Sequence, residues 1–281
     1  MQKTLLATVA LLLSSHTAFA AATTLLVPEQ ILQGNPARVT TQGTALLKDV
    51  VFDGTRFPVF TYNGKPRAFI AISLAKKPGK YTLKATLTNG TIISKTITVT
   101  GRTKPPVESV DIPEKLGGNT TSSQKDLTAS IAVADTDIKK VQTGEAITWT
   151  QKFIPPLAAM TVTTPYGYMV NTGASVLPHK GVDLKAAVGT RVVAMNRGVV
   201  KIAKEYRSYG KMVVLDHGLG LQTLYLHLSK INVEEGEVVA RGDVIGSSGD
   251  TGYASGPHLH LSVKISGISV DPIPFLKLFN P

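Results

Sequence analysis

The two histidines of His258-Leu259-His260 are the residues of this chain best suited to chemistry. They follow a Gly256-Pro257 break and continue into Leu261-Ser262-Val263, β-compatible residues that read as the entry of a strand. Side chains alternate faces along a strand, so both imidazoles project the same way. Two adjacent imidazoles are poor packing material, because each ring carries a donor and an acceptor that need partners. A metal ion, or a reacting group beside one, satisfies both.

A second candidate is Pro178-His179-Lys180-Gly181-Val182-Asp183. A His and an Asp four residues apart share a face on a helix or a strand. Gly181 between them, with no helical periodicity around, favours a loop running into a strand. Imidazole and carboxylate both ligate zinc, although a pair at this spacing alone usually just hydrogen-bonds. Joined to the His-x-His pair it makes a three-ligand set, the number in a catalytic zinc site that keeps one position for water. A third candidate is Leu224-Tyr225-Leu226-His227-Leu228, where strict alternation predicts Tyr225 and His227 on one face and the three leucines on the other. His217, in Asp216-His217-Gly218, reads as a structural turn residue. Apart from His16, the histidines of the chain, five of six, all lie after position 178, which points to one shared site.

The elements that must hold these residues are mostly strands. From about Thr24 to Thr100 the chain is β throughout, with short runs such as Ala68 to Ile72 and Tyr81 to Leu87. Asn63-Gly64 and Asn89-Gly90 are hairpin signals, since both positions of a type I′ turn need positive φ. This spacing predicts an immunoglobulin-like β-sandwich over residues 24–100, with no histidine and no catalytic cluster, hence an accessory role. Residues 101–155 change to linker composition, Lys104-Pro105-Pro106 and Gly117-Gly118 among them, with a short helix expected from about Ser123 to Val141 that carries Leu127, Ile131, Ala134 and Ile138 on one face. Residues 156–281 form a second β-rich region. The fold class is therefore mostly all-β, in two β domains joined by a linker with one short helix.

Residues 1–20 have a basic start, an apolar run from Leu5 to Leu13 and an Ala18-Phe19-Ala20 end, the pattern of a secretory signal peptide. The run is too short to span a membrane, and no later segment approaches the required length of about twenty apolar residues. Export to the periplasm or the medium is the expectation. The formal charge is +11, and removing Lys3, the one charged residue of 1–20, leaves +10. An anionic cell-wall polymer suits this balance better than nucleic acid, because no long Lys and Arg run is interleaved with aromatics. There is no cysteine. Disulfides are thereby excluded, and any metal must be held by His, Asp or Glu.

Taken together, His179-x-x-x-Asp183, Tyr225-Leu226-His227 and His258-Leu259-His260 resemble the lysostaphin-type (LytM-like) zinc metallopeptidases of the M23 class. Gly189-Thr190, Gly236-x-x-Val239-x-x-Gly242-x-x-Ile245-Gly246 and Thr251-Gly252-x-x-x-Gly256-Pro257 extend the likeness from about Thr164 to Pro274. The resemblance implies a LytM-type antiparallel sheet holding one zinc through His179, Asp183 and His260, with His227 and His258 as catalytic imidazoles beside the metal. It implies hydrolysis of peptide bonds in bacterial peptidoglycan, cross-links or interpeptide bridges. Where some members carry a tyrosine six residues before the first ligand, this chain has Gly173. An alternative is a non-catalytic LytM-type activator of peptidoglycan amidases, but such members typically lose zinc ligands and this chain keeps every position. A lipoyl-type carrier shares the Val-x-x-Gly-x-x-Ile-Gly rhythm, yet it needs an exposed modifiable lysine and has no use for the histidines.

Overall fold

Alternating apolar residues in the first half build two sheets that face each other. A computed structural model describes residues 22–103, 107–109, 111–171 and 176–279; the expected leader and Gly173 lie outside them. One sheet has four strands, in the order Thr24–Leu26, Pro36–Gln42, Lys65–Ala71 and Val59–Tyr62. The other has five: Gln30–Leu32, Ile92–Thr100, Gly79–Leu87, Leu47–Phe52 and Thr55–Phe57. Val39, Val50, Ile70, Leu83 and Ile97 point inward and are fully buried, as period-two alternation requires of a sandwich.

The turns follow glycine chemistry, with one departure. Asn63-Gly64 has φ of 50° and 70°, the left-handed pair of a type I′ turn. At Asn89-Gly90 only Gly90 is left-handed, with φ 84°. The Asn89 side chain there accepts from the Thr91 amide, so a longer loop replaces the two-residue turn. Asp53-Gly54 and Ser266-Gly267 take the left-handed pair instead.

The second half forms a ten-stranded sheet in which every pairing is antiparallel. Its centre runs Val162–Thr164, Val182–Lys185, His258–Ile265, Leu221–Ile231, Gly210–Asp216 and Gly198–Tyr206. Within the stretch read as linker, Val107–Ser109 pairs in parallel with Met169–Asn171, which pairs in turn with Val176–Pro178 just before His179.

The helix spans Thr121–Lys140, capped by the Thr120 hydroxyl accepting from the Ser123 amide, with Lys139 and Lys140 in the last turn where the helix dipole favours cations. Its apolar face has found the open side of the second sheet. Ala134 and Ile138 pack against Ile202, Met212, Leu224 and Leu226, and Leu127 packs against Ile112 and Tyr253. Two carboxylates pin it there: Asp135 accepts from the Tyr209 hydroxyl at 2.9 Å, and Asp137 accepts from Lys204 and Tyr206 at 2.9 and 3.0 Å. Among the described residues no helix is long and apolar enough to cross a membrane.

The hydrophobic core continues from the sandwich into the second sheet. Trp149, 1% exposed, lies among Phe60, Tyr62, Phe153 and Phe279 with ring centroids 5.3 to 5.5 Å away, an arrangement favoured by ring quadrupoles. The Arg102 guanidinium donates to Asn35 Oδ1 at 2.8 Å, the Gln33 carbonyl at 3.1 Å, and Tyr166 O and Asp271 Oδ2 at 3.2 Å.

His217 takes the structural role read from its turn. It is fully buried, its Nδ1–H donates to the Arg197 carbonyl at 2.8 Å, and its ring meets Phe153 edge-on. Burial pushes this imidazole down to about 4, against the pull of the Arg197 carbonyl and Asp216. Between that value and the ordinary histidine pKa of about 6.5, the unfolded chain binds a proton that the folded chain refuses. Stability is therefore lost as pH falls from about 6.5 towards 4, by on the order of 3 kcal/mol for this one group. Melting temperatures from pH 4 to 7 should show a shallower slope in His217→Gln than in the parent; equal slopes would assign the pH dependence elsewhere.

Candidate metal centre

Strand register brings the sequence candidates together. Val182–Lys185 pairs antiparallel with His258–Ile265 so that Asp183 stands directly opposite His260, and Leu226 of the 221–231 strand stands opposite His260 on the other side. His179 enters from the turn after Val176–Pro178, fixed by its amide donating to the Tyr168 carbonyl at 2.6 Å and its carbonyl accepting from the Gly167 amide at 2.8 Å. Three ligand atoms converge. His179 Nε2 lies 3.1 Å from Asp183 Oδ1 and 2.9 Å from His260 Nδ1, which is itself 2.9 Å from Asp183 Oδ1. Among the described residues, this is the group of His and carboxylate side chains that can close around one cation.

The outer hydrogen bonds decide which atoms face inward. His179 Nδ1–H donates to the Pro165 carbonyl at 3.0 Å, which leaves Nε2 as the lone pair aimed at the centre. The Ser262 hydroxyl donates to the Lys180 carbonyl at 3.0 Å, so its oxygen accepts from His260 Nε2–H at 2.9 Å and Nδ1 faces inward. These tautomers follow from the partners. Two nitrogen lone pairs and a carboxylate oxygen thus meet with no proton between them, which repels unless a cation fills the space. Ligand atoms of a tetrahedral zinc with bonds near 2.0–2.1 Å lie about 3.4 Å apart, close to the separations here, and the N₂O set suits that ion.

The electrostatics agree. Burial alone pushes the Asp183 carboxyl up, but contact with His179 and His260 and their charges hold it well below the usual carboxylate range. Burial lowers His260, with His179 and His258 acting the same way and Asp183 opposing. Asp183 and His260 therefore favour the deprotonated forms that bind metal.

His227 and His258 lie beside this centre, with ring centroids 4.9 Å apart. His258 Nδ1–H donates to the Gly256 carbonyl and His227 Nδ1–H to the Thr251 carbonyl, each at 2.8 Å, so both rings leave Nε2 for the cleft. His258 Nε2 is 3.5 Å from Asp183 Oδ1. Burial, then the charges of His258 and His260, pushes the His227 imidazole down to about 3. It is neutral at pH 7.

His227 does not share a face with Tyr225, contrary to strict alternation. Lys211 and Val213 pair with Leu228 and Tyr225, so Leu226 and His227 together oppose one residue, Met212, in a β-bulge. His227 takes φ 60° there, its amide donating to the Tyr209 carbonyl at 3.0 Å. Tyr225 instead faces the core, where its hydroxyl accepts from the Met195 amide, while Leu224, Leu226 and His227 all line the cleft. That cleft, a cavity of about 580 Å³, runs from the histidines to the long helix, whose Ile131 and Asp135 form its far wall.

Two residues support the cluster in ways that the sequence pattern alone does not assign. Ser262 follows His258 and His260 at the same period of two, a signal that was available. Gly181 has no φ requirement, but a Cβ there would lie 2.3 Å from His260 Nε2 and 2.6 Å from Ser262 Oγ. Because that Cβ would also lie 2.5 Å from the Leu261 carbonyl oxygen, Gly181→Ala is expected to shift the strand edge as well as the His260 ring and weaken zinc affinity by about tenfold to a hundredfold, the usual effect of disturbing an outer partner of a ligand. A zinc titration monitored by calorimetry checks this, with unchanged far-UV dichroism as the control.

Comparison with known proteins adds to the geometry. Residues 177–272 match the model of peptidase family M23, so the C-terminal half carries a domain of that family. The peptidoglycan DD-endopeptidase ShyA of Vibrio cholerae is 44% identical over 96 residues, 34% of this chain and 22% of that protein. The DD-carboxypeptidase/endopeptidase Mpg of Neisseria meningitidis is 38% identical over 121 residues, 43% of this chain and 28% of that protein. A crystal structure named for peptidase M23 from Pseudomonas aeruginosa superposes with a TM-score of 0.63 at 26% identity, covering 88% of this chain and 96% of that one. The chain spans between 21% and 28% of the length of these first curated relatives.

Proposed function

We propose that the chain is a zinc-dependent endopeptidase that hydrolyses peptide bonds of bacterial peptidoglycan, with the cross-links as the bonds cut. The observation that carries this reading is the convergence of two imidazole lone pairs and one carboxylate beside two further histidines in one cleft. His179, Asp183 and His260 would hold one zinc per chain. Bound there, zinc supplies Lewis-acid polarisation of the scissile carbonyl and a more acidic water near neutral pH.

The chain's own groups do the rest. His227, neutral and with Nε2 towards the cleft, accepts a proton from the attacking water, and His258 is placed for the same task. The ring that takes the proton becomes a donor. It can steady the oxyanion as the carbonyl carbon becomes tetrahedral, then deliver the proton to the leaving nitrogen as the C–N bond breaks. Thr251 and Gly256 hold the two tautomers throughout. The products are a carboxylic acid and an amine.

The remaining assignments belong to the same proposal. Residues 1–20 serve as an export signal, placing residues 24–100 as an accessory sandwich, 101–155 as linker and 156–281 as the peptidase in the periplasm or the medium. The sandwich docks on the peptidase through Arg102 and the Trp149 cluster.

Purified, zinc-loaded protein incubated with isolated sacculi tests the reading, with released fragments identified by mass spectrometry. Cut cross-links, with loss on chelation and return on adding zinc, are expected. Intact sacculi together with stimulation of a separate amidase would replace the enzyme by a binding activator.

A further inference from the structure

The strand that carries the metal ligand His260 presents a fourth side chain to the cleft. His258, His260, Ser262 and Lys264 alternate onto one face, and all four line the same cavity. The first three are accounted for by the metal centre. Lys264 lies four residues beyond His260, about 13 Å along an extended strand. Its cross-strand neighbours, Gln222 on one side and Ser269 on the other, are neutral.

Among the described residues no hydrogen bond or ion pair engages the Lys264 ammonium, although the residue is only partly exposed. Burial lowers its pKa, Lys180 and Lys139 push the same way, and Asp135 alone opposes them. The Asp135 carboxylate is already accepting from the Tyr209 hydroxyl. Nearby walls of the cavity are apolar, formed by Ile138, Leu177 and Leu224. A partly buried cation without a matched anion is costly to keep. A ligand anion removes that cost.

We propose that Lys264, with Lys180 at the cleft mouth, forms a subsite for a free carboxylate of the peptide substrate. It would hold that group further along the cleft than the metal ligands, about four residues of extended strand beyond His260. This rests on the peptidoglycan reading, because cross-linked stem peptides also carry free carboxylates away from the bond that joins them. Lysine is a point charge on a flexible stem, suited to a carboxylate whose approach varies.

The test uses the full chain loaded with zinc and two probes: a soluble cross-linked muropeptide dimer and the same dimer with its carboxylates converted to methylamides. Binding and hydrolysis are measured for the parent, Lys264→Met and Lys264→Arg. In Lys264→Met, KM and Kd for the native dimer should rise about tenfold to a hundredfold, the range for a charge-assisted hydrogen bond. kcat and zinc content should stay within twofold, values for the amidated dimer should not move, and Lys264→Arg should recover most of the loss. Equal losses on both dimers, no loss on either, or a parent that binds neither would overturn the subsite. A parent that hydrolyses both dimers with one KM overturns the subsite and leaves the hydrolase standing. A parent that cleaves nothing, yet shows the Lys264-dependent preference in binding, keeps the subsite and removes the hydrolase.

Discussion

Asp183→Ala, purified with equimolar zinc, is expected to retain little of the metal and to release no fragments from sacculi. Asp183 supplies the one formal negative charge of the set and touches both other ligand atoms, at 3.1 and 2.9 Å. Structural zinc sites with four ligands bind with about 10–16 kcal/mol, so losing one ligand should weaken binding by about a hundredfold to a thousandfold. The carboxylate also stands opposite His260 in the ladder between the 182–185 and 258–265 strands. Its removal leaves the backbone pairing intact, and far-UV dichroism should not change. Metal content by mass spectrometry and fragment release are the two readouts. An Asp183→Ala protein with full zinc and full activity would remove Asp183 from the site.

His227→Ala is expected to do the opposite: zinc stays and turnover collapses. His227 is not among the three converging atoms, but its ring sits 6.1 Å from the His260 ring and 4.9 Å from the His258 ring. Loss of a positioned proton-transfer group lowers kcat by about a hundredfold to ten-thousandfold. Its left-handed φ adds a control. Alanine at φ 60° carries about 1 kcal/mol of strain, whereas asparagine tolerates that backbone. His227→Asn should therefore hold its melting temperature better than His227→Ala while being equally inactive. If both variants bind zinc and still turn over at the parent rate, His227 is structural. For the neighbouring pair, equal zinc loss in His258→Ala and His260→Ala would contradict the division between ligand and catalytic ring.

The parts of this site that were legible in the sequence are those set by local rules. Period-two alternation places His258 and His260 on one face, and the break at Gly181 sends His179 into a turn before Asp183 begins a strand. The same rule failed at Tyr225 and His227, because a bulge opposite Met212 adds one residue on one strand only. Nothing in Leu224-Tyr225-Leu226-His227-Leu228 marks it; no glycine signals the left-handed residue. The helical period named Leu127, Ala134 and Ile138 as a face but not the surface that receives it. That surface is built from strands about sixty to ninety residues further on, as is the parallel pairing of Val107–Ser109 with Met169–Asn171. Asn63-Gly64 and Asn89-Gly90 are the same dipeptide with different turns, since the Asn89 side chain engages the Thr91 amide instead. Local patterns reached the His-Asp-His cluster; the walls of the cleft depend on long-range pairing.

The central claim is that His179 Nε2, Asp183 Oδ1 and His260 Nδ1 hold one zinc ion. Anomalous diffraction from crystals of the zinc-loaded protein, measured on both sides of the zinc absorption edge, tests it most directly. One peak per chain is expected, about 2.0–2.2 Å from each of those three atoms and farther from His227 and His258. A zinc peak elsewhere, or bonded to His258 in place of His260, would contradict the account.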